Sequence, residues 1–366
     1  MKINYVDLPK QYLKERKKIL EVIDKTLLTG EYVGGNQVKK FEKNISKILN
    51  VKNCVALNSG TDALTLGLHA MGVKRGDEVI TTPNSFIAST AVIVHLGAKP
   101  IFVDVKNDQS IDPTLIEKAI TKKTKAIMVV HLTGRVCEMD KIIKISNKYK
   151  IPIIEDAAQA IGSCYKNKMA GSFGKVACFS AHPLKNLNAL GDSGYLTTNS
   201  DKIANYIRDI SNHGMTNRNK VKNFGHVSRM DNVQAAVLNF RLTEMNKTIK
   251  LRRRNAEFYF NNINPNHVFM PRENKNEYNT YHTFVIQVSK RDELKKYLEK
   301  KGVKTSIHYP TPIHLQPAAK KMGYKKGDFS ETEKQSKRIL TLPINQFLKI
   351  IELKKICLLI NKFYEN

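Results

Sequence analysis

Between residues 54 and 199 short apolar runs alternate with segments patterned as helices, and this alternation limits the fold more than anything else in the chain. CVALN, KPIFVDV, KAIMVVHL, IPIIED and VACFSA are nearly all apolar, and DEVITTP and GYLTTN complete the series. A strand that is apolar on both faces has to be covered on both faces. The covering segments lie between the runs. SGTDALTLGLHAMG ends at Gly72, SFIASTAVIVHLG ends at Gly97, SIDPTLIEKAI carries a Ser or Asp cap, and EMDKIIKISNKY follows the same helical spacing. The pattern predicts an α/β domain with a mostly parallel central sheet and helices on both faces. In such sheets ligands sit beyond the carboxyl ends of the strands.

The flanks read differently. YLKERKKILEVIDKTLLTG and NQVKKFEKNISKILN are amphipathic helices joined by the glycine-containing loop GEYVGG, and they form an N-terminal arm. From about residue 245 helical patterns (LRRRNAEFYFNNI, RDELKKYLEKKG, KIIELKKICLLINKFY) mix with two expected strands, HTFVIQV and TSIHY. The division expected is a large domain over 1–244 and a smaller α+β domain over 245–366. No internal repeat or low-complexity linker interrupts the chain.

Composition removes several function classes. The five cysteines are scattered, odd in number and without a CxxC pair, which argues against a disulfide framework and a zinc ribbon; no metal is expected. No apolar run reaches 18 residues, so no membrane span is expected. MKINYVDLPKQYLKERKK lacks an apolar signal core, and a cytoplasmic enzyme is expected. The net charge of +28 is the one unusual number. The lysines are spread along the chain and accompany no nucleic-acid-binding motif, so a phosphorylated small substrate fits the charge better than nucleic acid does.

The chemistry concentrates around Lys185 in the run CFSAHPLKNLNALGDSG. A lysine five residues after Ser180, preceded in the chain by Asp156 at the end of an apolar strand, is what pyridoxal phosphate requires. The amine forms a Schiff base with the cofactor aldehyde, and the carboxylate keeps the pyridine nitrogen protonated. NSGTDAL places Gly60 and Thr61 between a strand and a helix start, where free amides and the helix dipole attract phosphate. Ser180 is placed to donate to that phosphate, Gln159 to the phenolic oxygen, and Phe86 to stack on the ring. His182 lies between Ser180 and Lys185 and faces the substrate in this reading.

With these residues in place the chain resembles the DegT/StrS-type sugar-nucleotide aminotransferases of fold type I over essentially its whole length. The runs that carry the resemblance include GEYVGGNQVKKFE, NSGTDAL, GDEVITTPNSFIAST, IEDAAQAIGSCYKNKMAGSFG, CFSAHPLKNL, SNHG, SRMDNVQAA and HYPTPIH. The resemblance implies pyridoxal 5'-phosphate as cofactor, with Lys185 as its attachment point and the general acid–base. Asp156, Phe86, Gly60, Thr61, Ser180 and Gln159 would bind it, and His182, His308 and Tyr309 would lie toward substrate. It also implies an amino-acid donor, glutamate, a nucleotide-linked keto-deoxysugar acceptor used in amino-sugar or surface-polysaccharide biosynthesis, and a homodimer.

Three positions depart from the family pattern. Val227 stands where an Asn commonly reaches the neighbouring subunit's cofactor, with His226 and Ser228 as the adjacent polar residues. Ser193 replaces a glycine after the lysine loop, and Thr133 replaces a tyrosine in HLTG. The stretch KNLNALGDSG, with Asn186, Gly191 and Asp192, resembles members acting on 3-keto rather than 4-keto sugars. Two alternatives on the same scaffold are a cofactor-dependent sugar dehydratase and a non-catalytic regulatory protein. The dehydratases typically carry His where this chain has Lys185.

Overall fold

The computed structural model describes residues 2–365. Seven strands form the main sheet: β1 (Asn53–Leu57), β2 (Glu78–Thr81), β3 (Lys99–Phe102), β4 (Thr124–Val130), β5 (Ile153–Asp156), β6 (Val176–Ser180) and β7 (Gly194–Thr198). Their spatial order is β1-β7-β6-β5-β4-β2-β3. Neighbours from β6 to β3 are parallel. β7 alone runs against both of its neighbours, so β1 points the same way as the other five. This is the α/β, mostly parallel architecture that the apolar runs predict.

The period of two in each strand feeds two cores. In β4, Ile127 and Val129 turn to one face, and Ala126 and Met128 turn to the other. The first face is closed by helix α2 (Asn36–Leu49), through Phe41, Ile45 and Leu49, and by Met139 and Ile142 of the helix Met139–Tyr149. Phe179 stacks on Tyr195 at 4.7 Å there, and Phe41 meets Tyr195 edge-on at 5.2 Å. The second face is closed by helix α3 (Gly60–Ala70), through Leu64, Leu66 and Leu68, together with Ile203 and Ile207. Each such fully buried side chain contributes roughly 1.5–3 kcal/mol of transfer free energy.

A 31-residue helix, Asn232–Asn262, connects this sheet to the C-terminal part. Its stretch up to Ile249 sends Ala235, Leu238, Met245 and Ile249 into the first core. Its second half sends Ala256, Tyr259 and Phe260 into a separate core. That core is built on a three-stranded antiparallel sheet, in which β8 (Phe284–Val288) lies between the short strand Val268–Phe269 and β9 (Ile339–Leu342), and on the helices Arg291–Lys300 and Ile350–Glu365. Position 245, where the sequence pattern changes, therefore lies inside one continuous helix.

TSIHY, expected as a strand, makes only a single bridge, Ser306 to Thr341. The place beside β8 belongs to β9, a four-residue run that periodicity alone does not separate from a buried turn. The chain leaves the bridge to carry His308 and Tyr309 into the cavity described below.

Candidate active site

The carboxyl ends of β1, β4, β5 and β6 open onto one cavity of about 380 Å³. Gly60, Thr61, Phe86, Asp156, Gln159, Ser180, His182, Lys185, His308 and Tyr309 all line it, so the structure brings every sequence-predicted site residue to one place.

One wall is made by the start of α3. Ser59 caps the helix, its Oγ accepting from the Asp62 amide at 3.1 Å. The amides of Gly60 and Thr61 precede the first intrahelical bond and have no acceptor within the helix. The backbones at this corner approach very closely. A Cβ at Gly60 would stand 2.7 Å from the Ser180 Cβ, and one at Gly194 would stand 2.2 Å from the Ser59 carbonyl carbon. Glycine at both positions lets β6, β7 and the first turn of α3 share one small anion-binding corner, with Ser180 at its edge.

Asp156 ends β5 and is buried. Its Oδ2 accepts from Ser89 Oγ at 2.7 Å and its Oδ1 from the Ala158 amide at 3.2 Å, which fixes the plane of the carboxylate. Gln159 is oriented by the Thr133 amide, which donates to its Oε1 at 2.7 Å. Its Nε2 is left as the donor that can serve a ligand oxygen. Thr133 holds this geometry with φ of 63°, in the left-handed region. Phe86 is 55% exposed, and its ring lies 6.0 Å from that of Tyr309 across the cavity mouth. Burial, with the Asp156 charge adding to it, pushes the Tyr309 phenol up to about 12.

Lys185 donates no side-chain hydrogen bond to the described residues, and burial lowers its amine below the ordinary lysine value while the Asp156 carboxylate opposes this. The loop that carries it is pinned from three directions. Asn188 exchanges amide hydrogen bonds with Gln11 of helix α1 (Leu8–Leu27), at 3.1 and 3.2 Å. Arg241, ion-paired with Glu15 at 2.7 Å, donates to the carbonyls of Asn188 and Ala189. Asn186 donates to the Thr280 carbonyl at 3.3 Å. The N-terminal arm, the long helix and the C-terminal part thus hold one reactive side chain between them. His182 is exposed beside Ser180, and its amide donates to Ser180 Oγ at 3.3 Å.

The residues present fit pyridoxal phosphate: an unpaired amine facing a buried carboxylate, a glycine-dependent anion corner, an amide donor and a half-exposed ring. No group of three or more His, Cys, Asp or Glu residues able to hold a metal occurs among the described residues. No described helix is long and apolar enough to cross a membrane.

Several lining residues escape sequence reasoning. Ser89 lies one helical turn beyond Phe86, and only the fold turns it onto Asp156. His131, at the end of β4, places Nε2 3.0 Å from Glu155, whose carboxylate also accepts from the amides of Gly171, Phe173 and Gly174. The Cys137 amide points at His131 Nδ1 (3.3 Å), which leaves Nε2 as the donor to Glu155. Tyr5, Arg252 and His282 reach the cavity from segments far apart in the chain, and no local signal marks them.

Residues 13–361 match the DegT/DnrJ/EryC1/StrS aminotransferase family. The UDP-2-acetamido-2-deoxy-3-oxo-D-glucuronate aminotransferase of Pseudomonas aeruginosa is 35% identical, over 97% of this chain and 98% of its own. The dTDP-3-amino-3,6-dideoxy-alpha-D-galactopyranose transaminase of Aneurinibacillus thermoaerophilus is 35% identical over 99% of both chains. Among solved structures, DesV of S. venezuelae superimposes with a TM-score of 0.97 at 32% identity, covering 100% of this chain and 99% of its own. Structural neighbours in this group have been solved with the cofactor as PLP and as PMP.

Proposed function

The chain belongs to the DegT/DnrJ/EryC1/StrS aminotransferase family and is a pyridoxal phosphate-dependent aminotransferase; on that premise we propose that it moves an amino group from glutamate to the 3-keto position of a nucleotide-linked deoxyhexose. The observation that carries this reading is the single cavity holding Lys185, Asp156 and the glycine-lined anion corner, in a chain similar over its whole length to relatives named for 3-oxo and 3-amino sugars. The loop after Lys185, with Asn186, Gly191 and Asp192, supports the 3-keto choice.

The bound cofactor supplies an electron sink for the carbon that carries the amine. The protein does the rest with the groups above. Asp156, held in plane by Ser89 and the Ala158 amide, would keep a proton on the pyridine nitrogen. The α3 amides and Ser180 would hold the phosphate, Gln159 Nε2 would donate to the phenolic oxygen, and Phe86 would cover the ring. Lys185 Nζ, its amine form favoured by burial, takes a proton from the substrate carbon and returns it on the other side of the transfer. His182, His308 and Tyr309 lie toward the sugar nucleotide, whose diphosphate is attracted by the basic surface.

The active form proposed is a homodimer. Phe224 (99% exposed), Val227 and Tyr32 leave apolar surface uncovered on the single chain, which supports a partner. Ser228 is buried and donates to Asn58 Oδ1 at 3.1 Å, so of the two polar neighbours of Val227 only His226 is exposed to meet it.

The test starts from enzyme whose cofactor has been aminated with glutamate. Nucleotide-linked 3-keto and 4-keto 6-deoxyhexoses are then added side by side, and the return of the original cofactor absorbance is followed. Faster return with the 3-keto sugar is expected. Faster return with the 4-keto sugar contradicts the position, and failure of glutamate to aminate the cofactor contradicts the donor.

A further inference from the structure

Arg252 is the charged group of the cavity that the transfer chemistry leaves without a task. It lies on the long helix, is 7% exposed, and lines the cavity that holds Lys185. Nη1 donates to the carbonyls of Tyr281 and His282, each at 3.2 Å. Nε is buried and has no hydrogen-bond partner. No carboxylate pairs with this guanidinium among the described residues, unlike Arg135, Arg241, Arg253 and Arg291, each of which has an acidic partner. Burial lowers Arg252 to about 10, so it is still a cation at neutral pH. A buried cation with an unused donor carries an unrecovered desolvation penalty unless an anion joins it.

The surroundings define that anion. His282 Nδ1 is a second buried polar atom without a partner, and His282 also lines the cavity. Burial, with the Arg252 charge adding to it, holds the His282 imidazole neutral. Tyr5 adds a phenol on the same side, its ring 5.8 Å from that of His308. A planar fork beside two uncharged polar side chains suits a carboxylate, which accepts two parallel N–H bonds. The phosphate already has its own corner at the start of α3.

We propose that Arg252, with His282 and Tyr5 beside it, is the carboxylate subsite of this cavity, and that it holds the carboxylate of the reacting substrate next to Lys185. The proposal rests on the aminotransferase reading for the identity of that substrate and not for the existence of the subsite. Two substrates can bring a carboxylate here: the amino-acid donor, or a sugar acceptor oxidised to a uronate. The donor is favoured because its carboxylate is one bond from the carbon that must meet Lys185.

The binding test uses the holoenzyme with glutarate as probe and glutaramide as its uncharged counterpart. Glutarate should raise the Tm of the wild type and glutaramide should not. Arg252→Lys keeps a charge and a donor for the two carbonyls but loses the fork, and it should bind glutarate about 10-fold or more weakly. Equal effects of the two probes on the wild type, or undiminished glutarate binding by Arg252→Lys, overturn the proposal. These readouts need no turnover, so they stand even if the transamination reading fails.

The separate half-reactions of Arg252→Lys then identify the source. Slowed amination of the cofactor by glutamate, with the neutral keto-hexose step unchanged, assigns the donor. Slowing confined to a 3-oxo-uronate acceptor assigns the sugar acid. Equal slowing of every half-reaction, neutral sugar included, marks a merely structural arginine and contradicts the subsite.

Discussion

Asp156 and Ser89 show how unevenly a site distributes its importance between touching residues. The carboxylate faces the cofactor nitrogen in the proposed function, whereas Ser89 only orients it, through one 2.7 Å bond. Asp156→Asn preserves size but removes the charge, and a fall in kcat of about 10³-fold or more is expected, roughly 4 kcal/mol of barrier. Ser89→Ala removes a single hydrogen bond and should cost about 1 kcal/mol, or 5- to 10-fold. Stopped-flow rates on cofactor-loaded variants check both, and similar losses from the two substitutions would contradict the division of roles. His308 gives a pH signature. Burial lowers its imidazole from 6.5 to about 4, with the Lys185 charge adding to the effect. The folded state thus binds fewer protons than the unfolded state between these values, so the stabilisation is complete above pH 6.5 and is lost as pH falls toward 4. Between pH 7 and pH 5 the loss from His308 alone should be about 2 kcal/mol. Urea midpoints at the two pH values measure it, and His308→Gln should flatten the slope. An unchanged slope in that variant assigns the pH dependence elsewhere. Lys185, Asp156, Gly60 and Thr61 were legible in the sequence because each sits in a short run whose order is dictated by strand end, turn and helix start. Arg252, Tyr5 and His282 were not, because only tertiary packing brings positions 5, 252 and 282 together.

The elements carry constraints that single side chains do not. The corner where β7 begins, β6 ends and α3 starts exists only because Gly60 and Gly194 lack side chains. Gly194→Ala would set a methyl 2.2 Å from the Ser59 carbonyl carbon and 2.4 Å from the Gly60 amide nitrogen, both backbone atoms. The variant should lose about 3 kcal/mol of stability, at the upper end for overpacking, and should retain the cofactor less tightly. Denaturation curves and dialysis against cofactor-free buffer test this together; full stability with full retention would mean that the corner is softer than its packing implies. The elements that sequence reading recovered are those with long apolar runs, such as KAIMVVHL, whose two faces feed two cores. β9 escaped because a four-residue run before Pro343, three apolar residues and Thr341, carries no distinctive period. The pinned lysine loop was equally invisible, because Gln11 and Asn188, or Arg241 and Glu15, meet only once the arm has folded back on the sheet.

The proposed active form holds two chains, each with one reactive lysine. Size-exclusion with light scattering should give twice the chain mass of 41.6 kDa. Val227, 48% exposed, stands where an asparagine would reach a neighbouring cofactor in the proposed dimer. Val227→Asn should be tolerated and should tighten cofactor binding by about 1 kcal/mol, the worth of one added hydrogen bond. Loss of cofactor in that variant would instead mean that Val227 packs in the interface. If the cavity does its chemistry through Lys185, covalent trapping will find the cofactor on that residue alone. Borohydride reduction of the holoenzyme followed by peptide mass spectrometry should find one cofactor adduct per chain, on Lys185, and Lys185→Ala should give none. An adduct on any other lysine, or an undiminished adduct in Lys185→Ala, would mean that Lys185 is not the attachment point.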